Sequence, residues 1–155
     1  MRSDHLDLAD RLRPAILKLG RLLRREAQRV GASAMDAHLL AVIAKRPGIG
    51  VSELAAFETM SSPSMSAHVK RLEQRDWVAR DQAAAGDARR ARLVLTQAGE
   101  RSLAAIKRSR TDWLAAQLAR LPEEDLVALA AAVAPVTRLA EAGRVSGRVA
   151  TGVAA

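Results

Sequence analysis

The first chemistry that the chain offers is a cationic turn between two short apolar stretches. The turn contributes one carboxylate and three guanidinium groups, from Asp87, Arg89, Arg90 and Arg92. An arginine on a projecting turn is attracted to a narrow A·T-rich minor groove of duplex DNA, where negative potential is concentrated. We expect Arg89 to be that probe, with Asp87 accepting hydrogen bonds from its guanidinium. We expect Arg90 and Arg92 to meet phosphates or solvent. The alternative for all four side chains is a solvated, charged loop.

A second group of polar side chains precedes this turn, on one side of a predicted helix. Met65, Val69 and Leu72 recur at helical spacing and are expected to face the core. The side chains left outside could bond phosphate near the helix N-terminus or reach base edges in the major groove; they are Ser62, Ser64, Ser66, His68, Lys70 and Arg71. Ser62 could instead cap the helix, and His68 could pack against a neighbouring side chain.

The sequence offers no comparable support for a catalytic site or a metal site. The chain has no cysteine, which excludes disulfides and thiolate chemistry. Its three histidines, His5, His38 and His68, are far apart and have no clustered carboxylates beside them. There is no paired nucleophile and base, and no glycine-rich loop that would cradle a phosphate. An enzyme is therefore the least expected class, and we expect no cofactor and no metal.

The overall charge agrees with a polyanionic partner. Lys and Arg number 25 against 17 Asp and Glu, a formal net charge of +8, although an arginine-rich proteome would also produce such an excess. The N-terminus lacks the apolar core of a signal peptide, and no apolar run reaches membrane-spanning length. We therefore expect a cytoplasmic protein with no membrane partner. Aromatic residues make up only 2% of the chain, so the core must be aliphatic, which suits packed helices.

Four helices are expected before the cationic turn. Apolar residues at helical spacing predict a long first helix over residues 6–30, which Pro14 either bends or delays. Ser33 is expected to cap the second helix together with Asp36 in a capping box. Ser52 is expected to cap the third, and Ser61 or Ser62 the fourth, with Pro63 in its first turn.

A hairpin and two helices are expected to follow. The patterns over 77–80 and 92–95 predict two strands with the charged turn between them, and 49–51 is a possible third strand. Leu93 and Leu95 would pack the second strand against the rest of the fold, and Thr96 would cap the fifth helix. The last helix should begin at Pro122, and Pro135 should kink or shorten it. We expect Trp77 to pack the hairpin against the helices. We expect Trp113 to lie in a dimer core. A ligand pocket is the alternative place for either tryptophan.

These elements predict a mainly α fold with a small β-hairpin wing, a winged helix-turn-helix with dimerisation helices at both ends. Residues 1–142 would form a single domain, with a DNA-binding lobe over 33–96, dimerisation helices over 6–30 and 97–142, and a flexible tail over 143–155. The terminal helices have apolar faces larger than the small lobe can cover, which favours a two-fold dimer.

The chain resembles MarR-type transcriptional regulators. Asp87-x-Arg89 followed by Leu95-Thr96-x-x-Gly99 is similar to the wing-to-helix signature of that family. The segments 51–55 and 64–73 look like its third helix and its recognition helix. Order and spacing match from about Leu6 to Leu139. Two positions depart from the common pattern: Ala67 stands where a long polar residue is frequent, and Asp76 stands where glycine is common.

The resemblance implies a homodimer that binds palindromic double-stranded operators and usually represses transcription. It also implies that a small phenolic or lipophilic effector could enter a cleft beside the dimerisation helices and release the DNA. Because the wing and the fifth helix are continuous, we expect a ligand that shifts that helix to move Arg89.

Two other function classes stay open at this point. The first is an architectural protein that binds DNA without sequence preference, and footprinting would distinguish it by diffuse protection. The second is a protein-interaction module that has kept the fold and lost DNA binding. The cationic wing argues against the second class.

Overall fold

The computed structural model describes the backbone of residues 2–81 and 92–149, and the side-chain surroundings of residues 4–81 and 92–142. Six helices and three strands lie within these ranges. In chain order they are α1 (Arg2–Arg29), α2 (Ala34–Lys45), β1 (Ile49–Gly50), α3 (Val51–Phe57), α4 (Ser62–Gln74), β2 (Val78–Asp81), β3 (Arg92–Leu95), α5 (Gln97–Leu118) and α6 (Glu123–Val149). This is the mainly α winged architecture that the sequence predicts.

The long helices tolerate their prolines better than the sequence suggests. Pro14 lies inside α1, which begins at Arg2, so the delayed start that Pro14 allowed is wrong. Pro135 lies inside α6, and the helix continues for fourteen residues beyond it, so the expected shortening is wrong as well. An interior proline removes one hydrogen bond and crowds the carbonyl four residues earlier, but both helices continue through it. The backbone of α6 also stays helical past Gly143 to Val149, beyond the expected start of a tail; residues 150–155 lie outside the described residues.

Most of the expected caps are present. Ser33 Oγ accepts from the backbone N–H of Asp36 at 3.0 Å, and Asp36 Oδ2 accepts from the N–H of Ser33 at 3.1 Å, which completes the capping box of α2. The N-cap of α4 is Ser61 and not Ser62. Ser52 is not a cap, because the extended backbone of Gly50 in β1 passes directly into a helix that begins at Val51.

The three strands form one small antiparallel sheet in the order β1-β3-β2. Ile49 pairs with Leu93, and Val78 pairs with Leu95. Leu93, in the central strand, has no exposed surface. The sheet is therefore anchored to the core through its middle strand, and the hairpin of β2 and β3 extends from that anchor.

The core is aliphatic and lies between α2, α3, α4, the sheet and α5. Its largest fully buried side chains are Leu39, Leu40, Ile43, Leu54, Met65, Val69, Leu72, Leu93 and Ile106. Full burial of one such side chain stabilises the fold by roughly 1.5–3 kcal/mol. Three of them come from α4, so that helix is held firmly by one side.

By its internal contacts the chain divides into two compact units, Met1–Leu114 and a second that begins at Ala115. The first contains the core. In the second, α6 exposes large apolar side chains at Val127, Leu129, Val133, Val136 and Leu139. None of the described helices combines the length and the apolar character that a membrane span requires.

Candidate nucleic-acid interface

Helix α4 has one buried face and one open face. Met65, Val69 and Leu72 have no exposed surface, which confirms the expected core positions. The open face carries the polar side chains that the sequence places there: Ser62, Ser64, Ser66, Lys70 and Arg71 are exposed, and His68 is partly exposed. Because the opposite face is packed into the core, these side chains are presented from a rigid support.

The start of α4 is organised by serine hydroxyls. Ser61 Oγ accepts from the backbone N–H of Ser64 at 3.3 Å and donates to Ser64 Oγ at 2.8 Å. Ser64 Oγ therefore accepts one bond, and its own hydrogen remains available. A free hydroxyl beside a helix N-terminus suits a phosphate oxygen, since the N-terminal backbone dipoles also favour negative charge.

Arg71 is engaged by two protein groups. Its Nη2 lies 3.5 Å from Asp36 Oδ1 and donates to His68 Nδ1 at 2.6 Å. Its side chain is still 51% exposed, so part of the guanidinium fork faces solvent. Lys70 beside it is exposed, and it is the less constrained of the two cations.

Asp36 is the buried charge behind this face. It is 5% exposed, and Arg71 and Arg75 both point toward it from α4, at 3.5 Å and 3.7 Å. Burial alone would raise the pKa of Asp36. The hydrogen bonds from the Ser33 side chain and backbone and the charge of Arg71 outweigh burial and hold that pKa below its ordinary value of 3.8. Asp36 is therefore a carboxylate at neutral pH.

Arg75 was not among the expected functional residues, yet it joins several elements. Its Nη2 donates to the carbonyl of Gly31 at 2.7 Å, and its guanidinium stacks 3.7 Å from the centre of the Trp77 ring. These contacts tie the end of α4 to the link between α1 and α2. The i, i+4 spacing of Arg71 and Arg75 is the only sequence signal for this role, because it places both cations on one side of the helix.

The base of the wing is locked to the start of α5. Thr96 Oγ1 donates to the carbonyl of Asp76 and accepts from the N–H of Gly99 at 3.0 Å, which confirms Thr96 as the cap of α5. Asp76, which stands where glycine is common, has a φ of 55°, a left-handed backbone angle that aspartate tolerates better than most residues. Trp77 is partly buried against the core, which confirms that it packs the wing against the helices.

The strands of the wing hold one of their cations in an ion pair. Arg80 Nε donates to Glu73 Oε1 at 2.6 Å, and this pair joins β2 to α4. Arg92, the first residue of β3, is exposed, and the methylene part of its side chain lies against Gly48. The other three wing residues expected to meet DNA, Asp87, Arg89 and Arg90, lie outside the described residues.

A cavity of about 470 Å³ lies between α1 and α5, away from the open face of α4. It is lined by Leu22, Arg25, Glu26, Gln28, Arg29 and Trp113. Arg110 Nε donates to the carbonyl of Leu23 at 3.1 Å and Ser109 Oγ to that of Glu26 at 3.3 Å, so the two helices are bonded beside it. The structure thus brings Trp113 to the wall of a cavity, the alternative place that the sequence allowed.

The histidines do not come together. His38 Nε2 is 2.7 Å from Glu58 Oε2, where α2 meets the end of α3, whereas His68 bonds Arg71 on α4. Within the described residues no group of three or more His, Cys, Asp or Glu side chains could hold a metal ion.

Comparisons with known proteins agree with this architecture. The profile of the MarR family matches residues 33–89, which cover α2, α3, α4 and β2. No curated protein of similar sequence was found.

Solved structures extend the likeness to most of the chain. A protein from Pseudomonas aeruginosa PA01, described as a candidate transcriptional regulator, is 34% identical, with a TM-score of 0.76 over 88% of this chain and 96% of its own. The multiple antibiotic-resistance repressor MarR from Listeria monocytogenes shares the fold at 17% identity, with a TM-score of 0.69 over 91% of this chain and 99% of its own. So does the MarR family protein Rv2887 of Mycobacterium tuberculosis, solved with salicylic acid, at 21% identity and a TM-score of 0.58 over 79% of this chain and 93% of its own. With its winged helix-turn-helix, its capped recognition helix and its Thr96–Gly99 junction, the chain belongs to the MarR family of transcriptional regulators.

Proposed function

We propose that this chain binds double-stranded DNA at specific palindromic sites. In this proposal α4 enters the major groove, and the hairpin of β2 and β3 reaches the adjacent minor groove or backbone. The observation that carries the proposal is the two-sided character of α4. Three fully buried apolar side chains fix the helix, and its open side carries hydroxyls, Lys70, Arg71 and His68. Such groups bond phosphates and base edges.

The assembly that we propose is a homodimer. In α1 the apolar side chains of Leu6, Leu8, Ile16, Leu17 and Leu19 are 42–68% exposed, and α6 presents a similar series. Large exposed apolar faces are costly in water and are usually covered by a partner. A second copy of the chain is the partner that a palindromic site requires, since two-fold symmetry in the DNA matches two-fold symmetry in the protein.

We further propose repression that a small effector relieves. The cavity beside Trp113 could receive a compact aromatic molecule, and Arg25 and Arg29 on its wall would favour an acidic one. The relative from Mycobacterium tuberculosis binds salicylic acid, a molecule of that class. A ligand there would act on α5, whose first residues are bonded to the base of the wing through Thr96.

Nuclease footprinting of the purified protein on genomic fragments tests the DNA-binding proposal. A discrete inverted repeat supports a sequence-specific regulator. Diffuse protection would instead indicate the architectural class, and no protection at low salt would reject DNA binding altogether.

Two variants test the dimer by analytical ultracentrifugation. Val133→Arg places a charge in the apolar stripe of α6 and should give a monomer that no longer protects the repeat. Val127, although exposed, lies about 160° around the helix from Leu129 and outside the stripe that Leu129, Val133 and Val136 form. Val127→Arg should therefore leave the dimer intact. If the Val133→Arg protein stays dimeric, this face of α6 is not part of the dimer interface.

A further inference from the structure

Asp36 is a buried carboxylate, and one of its two oxygens lacks a full hydrogen bond. Its Oδ2 accepts from the N–H of Ser33 at 3.1 Å. Its Oδ1 is shielded from solvent and has no full hydrogen bond within the described part of the chain. The nearest cation to Oδ1 is Arg71 Nη2 at 3.5 Å, at the outer limit of hydrogen-bonding distance. A buried carboxylate in this position strongly attracts a cation, so it restricts where the Arg71 guanidinium can lie.

The same nitrogen of Arg71 contacts His68. The distance from Nη2 to His68 Nδ1 is 2.6 Å. A guanidinium has five donors and no acceptor, so Nδ1 must be the acceptor in this bond. An imidazole that accepts at Nδ1 carries its hydrogen at Nε2. The Arg71 contact therefore selects one of the two neutral tautomers of His68.

The selected tautomer leaves a donor on the open side of α4. His68 lies four residues after Ser64 and three before Arg71, on the same face of the helix as both. The ring is partly exposed, and within the described part of the chain His68 makes no hydrogen bond besides the one to Arg71. A donor on this face would meet the edges of base pairs if α4 lies in the major groove.

We propose that Asp36, Arg71 and His68 form a relay that fixes His68 as an Nε2–H donor, and that this donor reads the N7 acceptor of a purine in each half-site. Asp36 touches no DNA in this arrangement and is a positioning residue that acts through Arg71. His68 is the residue that determines specificity. The inference rests on the proposed DNA binding and adds to it a chemical rule for one base position.

The tautomer can be measured without DNA. Long-range ¹H–¹⁵N correlation spectra of the full-length protein distinguish the two ring nitrogens of each histidine. We expect the Nε2–H form of His68 in the wild type and a mixture of tautomers in Asp36→Asn, with His38 unchanged between the two. An Nδ1–H form in the wild type, or no change on substitution, overturns the relay.

The base preference is measured by selecting binding sites from a randomised duplex library. His68→Leu should lose the purine preference at one position per half-site and bind the wild-type consensus about tenfold more weakly. His68→Gln, which keeps a donor at a similar distance from the backbone, should retain the preference. His38→Leu, the matched histidine control, should select the wild-type sequence.

Asp36→Asn distinguishes the relay from a general effect on folding. Asp36→Asn should weaken the purine preference at the same base position as His68→Leu. In the double variant it should cause no loss of that preference beyond the loss that His68→Leu causes alone. Equal weakening on all sequences, with the preference intact, would assign Asp36 a structural role only and overturn the proposal. If the wild type enriches no sequence, the proposed DNA-binding function fails as well. If the wild type enriches a site whose preferences survive His68→Leu, only the relay fails.

Discussion

Gly99 lies against the backbone of Trp77 so closely that a Cβ on residue 99 would be 1.9 Å from the Trp77 carbonyl oxygen. That carbonyl also accepts from the N–H of Thr96 at 3.2 Å. The approach of α5 to the base of the wing therefore depends on the absence of a side chain at residue 99. The Leu-Thr-x-x-Gly pattern has a physical basis here: threonine caps the helix and binds the turn, and glycine permits the contact.

Gly99→Ala should destabilise the protein by about 3 kcal/mol or more, at the upper end of the range for overpacking, because the obstructing atom belongs to the backbone. Thermal and urea unfolding measure the change. Gly20→Ala is the matched control: only the flexible end of Arg24 is near its added methyl group, so this mid-helix change should stabilise by about 0.5–1 kcal/mol. Equal stability of the two variants would contradict the close approach.

Asp36→Asn should destabilise the protein at neutral pH by about 1–3 kcal/mol, since it removes the charge that Ser33 and Arg71 stabilise. The pKa of Asp36 is lowered in the folded state. Its contribution to stability is therefore present above the ordinary Asp pKa and is lost as the pH falls through the folded value.

The difference in unfolding free energy between the wild type and Asp36→Asn should accordingly be constant above about pH 5 and shrink below about pH 4. Urea titrations across this range give the measurement. Asp10→Asn, an exposed acid on α1, should show almost no difference at any pH. A gap for Asp36→Asn that widens toward acid would mean that burial dominates its pKa.

Lys70→Ala should reduce the salt dependence of DNA binding by about two units of the log–log slope, about one for each protomer, if the ammonium of each Lys70 meets a phosphate. The affinity should fall on all sequences alike, because a phosphate contact carries no base information. Fluorescence anisotropy at several salt concentrations supplies the slope. Lys107→Ala, an exposed lysine on α5, should leave the slope unchanged.

Arg89→Ala should weaken binding to the operator markedly while the melting temperature and the dimer stay as in the wild type. The reason is electrostatic: an arginine in a narrow minor groove loses its effect when its charge is removed. Arg101→Ala, on α5, serves as the charge-matched control. If the affinity of Arg89→Ala for the operator equals that of the wild type at the same salt concentration, Arg89 does not contact the DNA.

Local chemistry explains which features could be predicted from the sequence. The Ser33–Asp36 capping box, the Thr96 cap and the buried face of α4 depend on residues three or four positions apart, and their spacing is visible in the chain. The prediction of Ser52 as a cap is wrong because β1 pairs with a strand more than forty residues later, and that pairing sets where α3 begins.

Long-range contacts explain what could not be predicted. Arg75 was missed because its partners, Gly31, Asp36 and Trp77, meet it only in the folded chain. The sequence predicts Arg71 as an exposed candidate for DNA contact, and it does not show that the carboxylate of Asp36, from another helix, restrains it. The i, i+4 spacing of the two arginines places them on one side of the helix, but nothing in their neighbourhood marks a buried acid thirty-five residues or more away in sequence.

The central position of β3 has a consequence for biosynthesis. Strand β1 leaves the ribosome long before β3, and its pairing of Ile49 with Leu93 closes a loop of 44 residues. Contacts that distant in sequence form late, because the entropy of the intervening loop must be overcome first. A nascent chain that ends before Arg92 can pack α2, α3 and α4 but leaves β1 without its neighbour. The sheet is therefore complete only once β3 has arrived, and β3 is the same strand that carries the wing into α5.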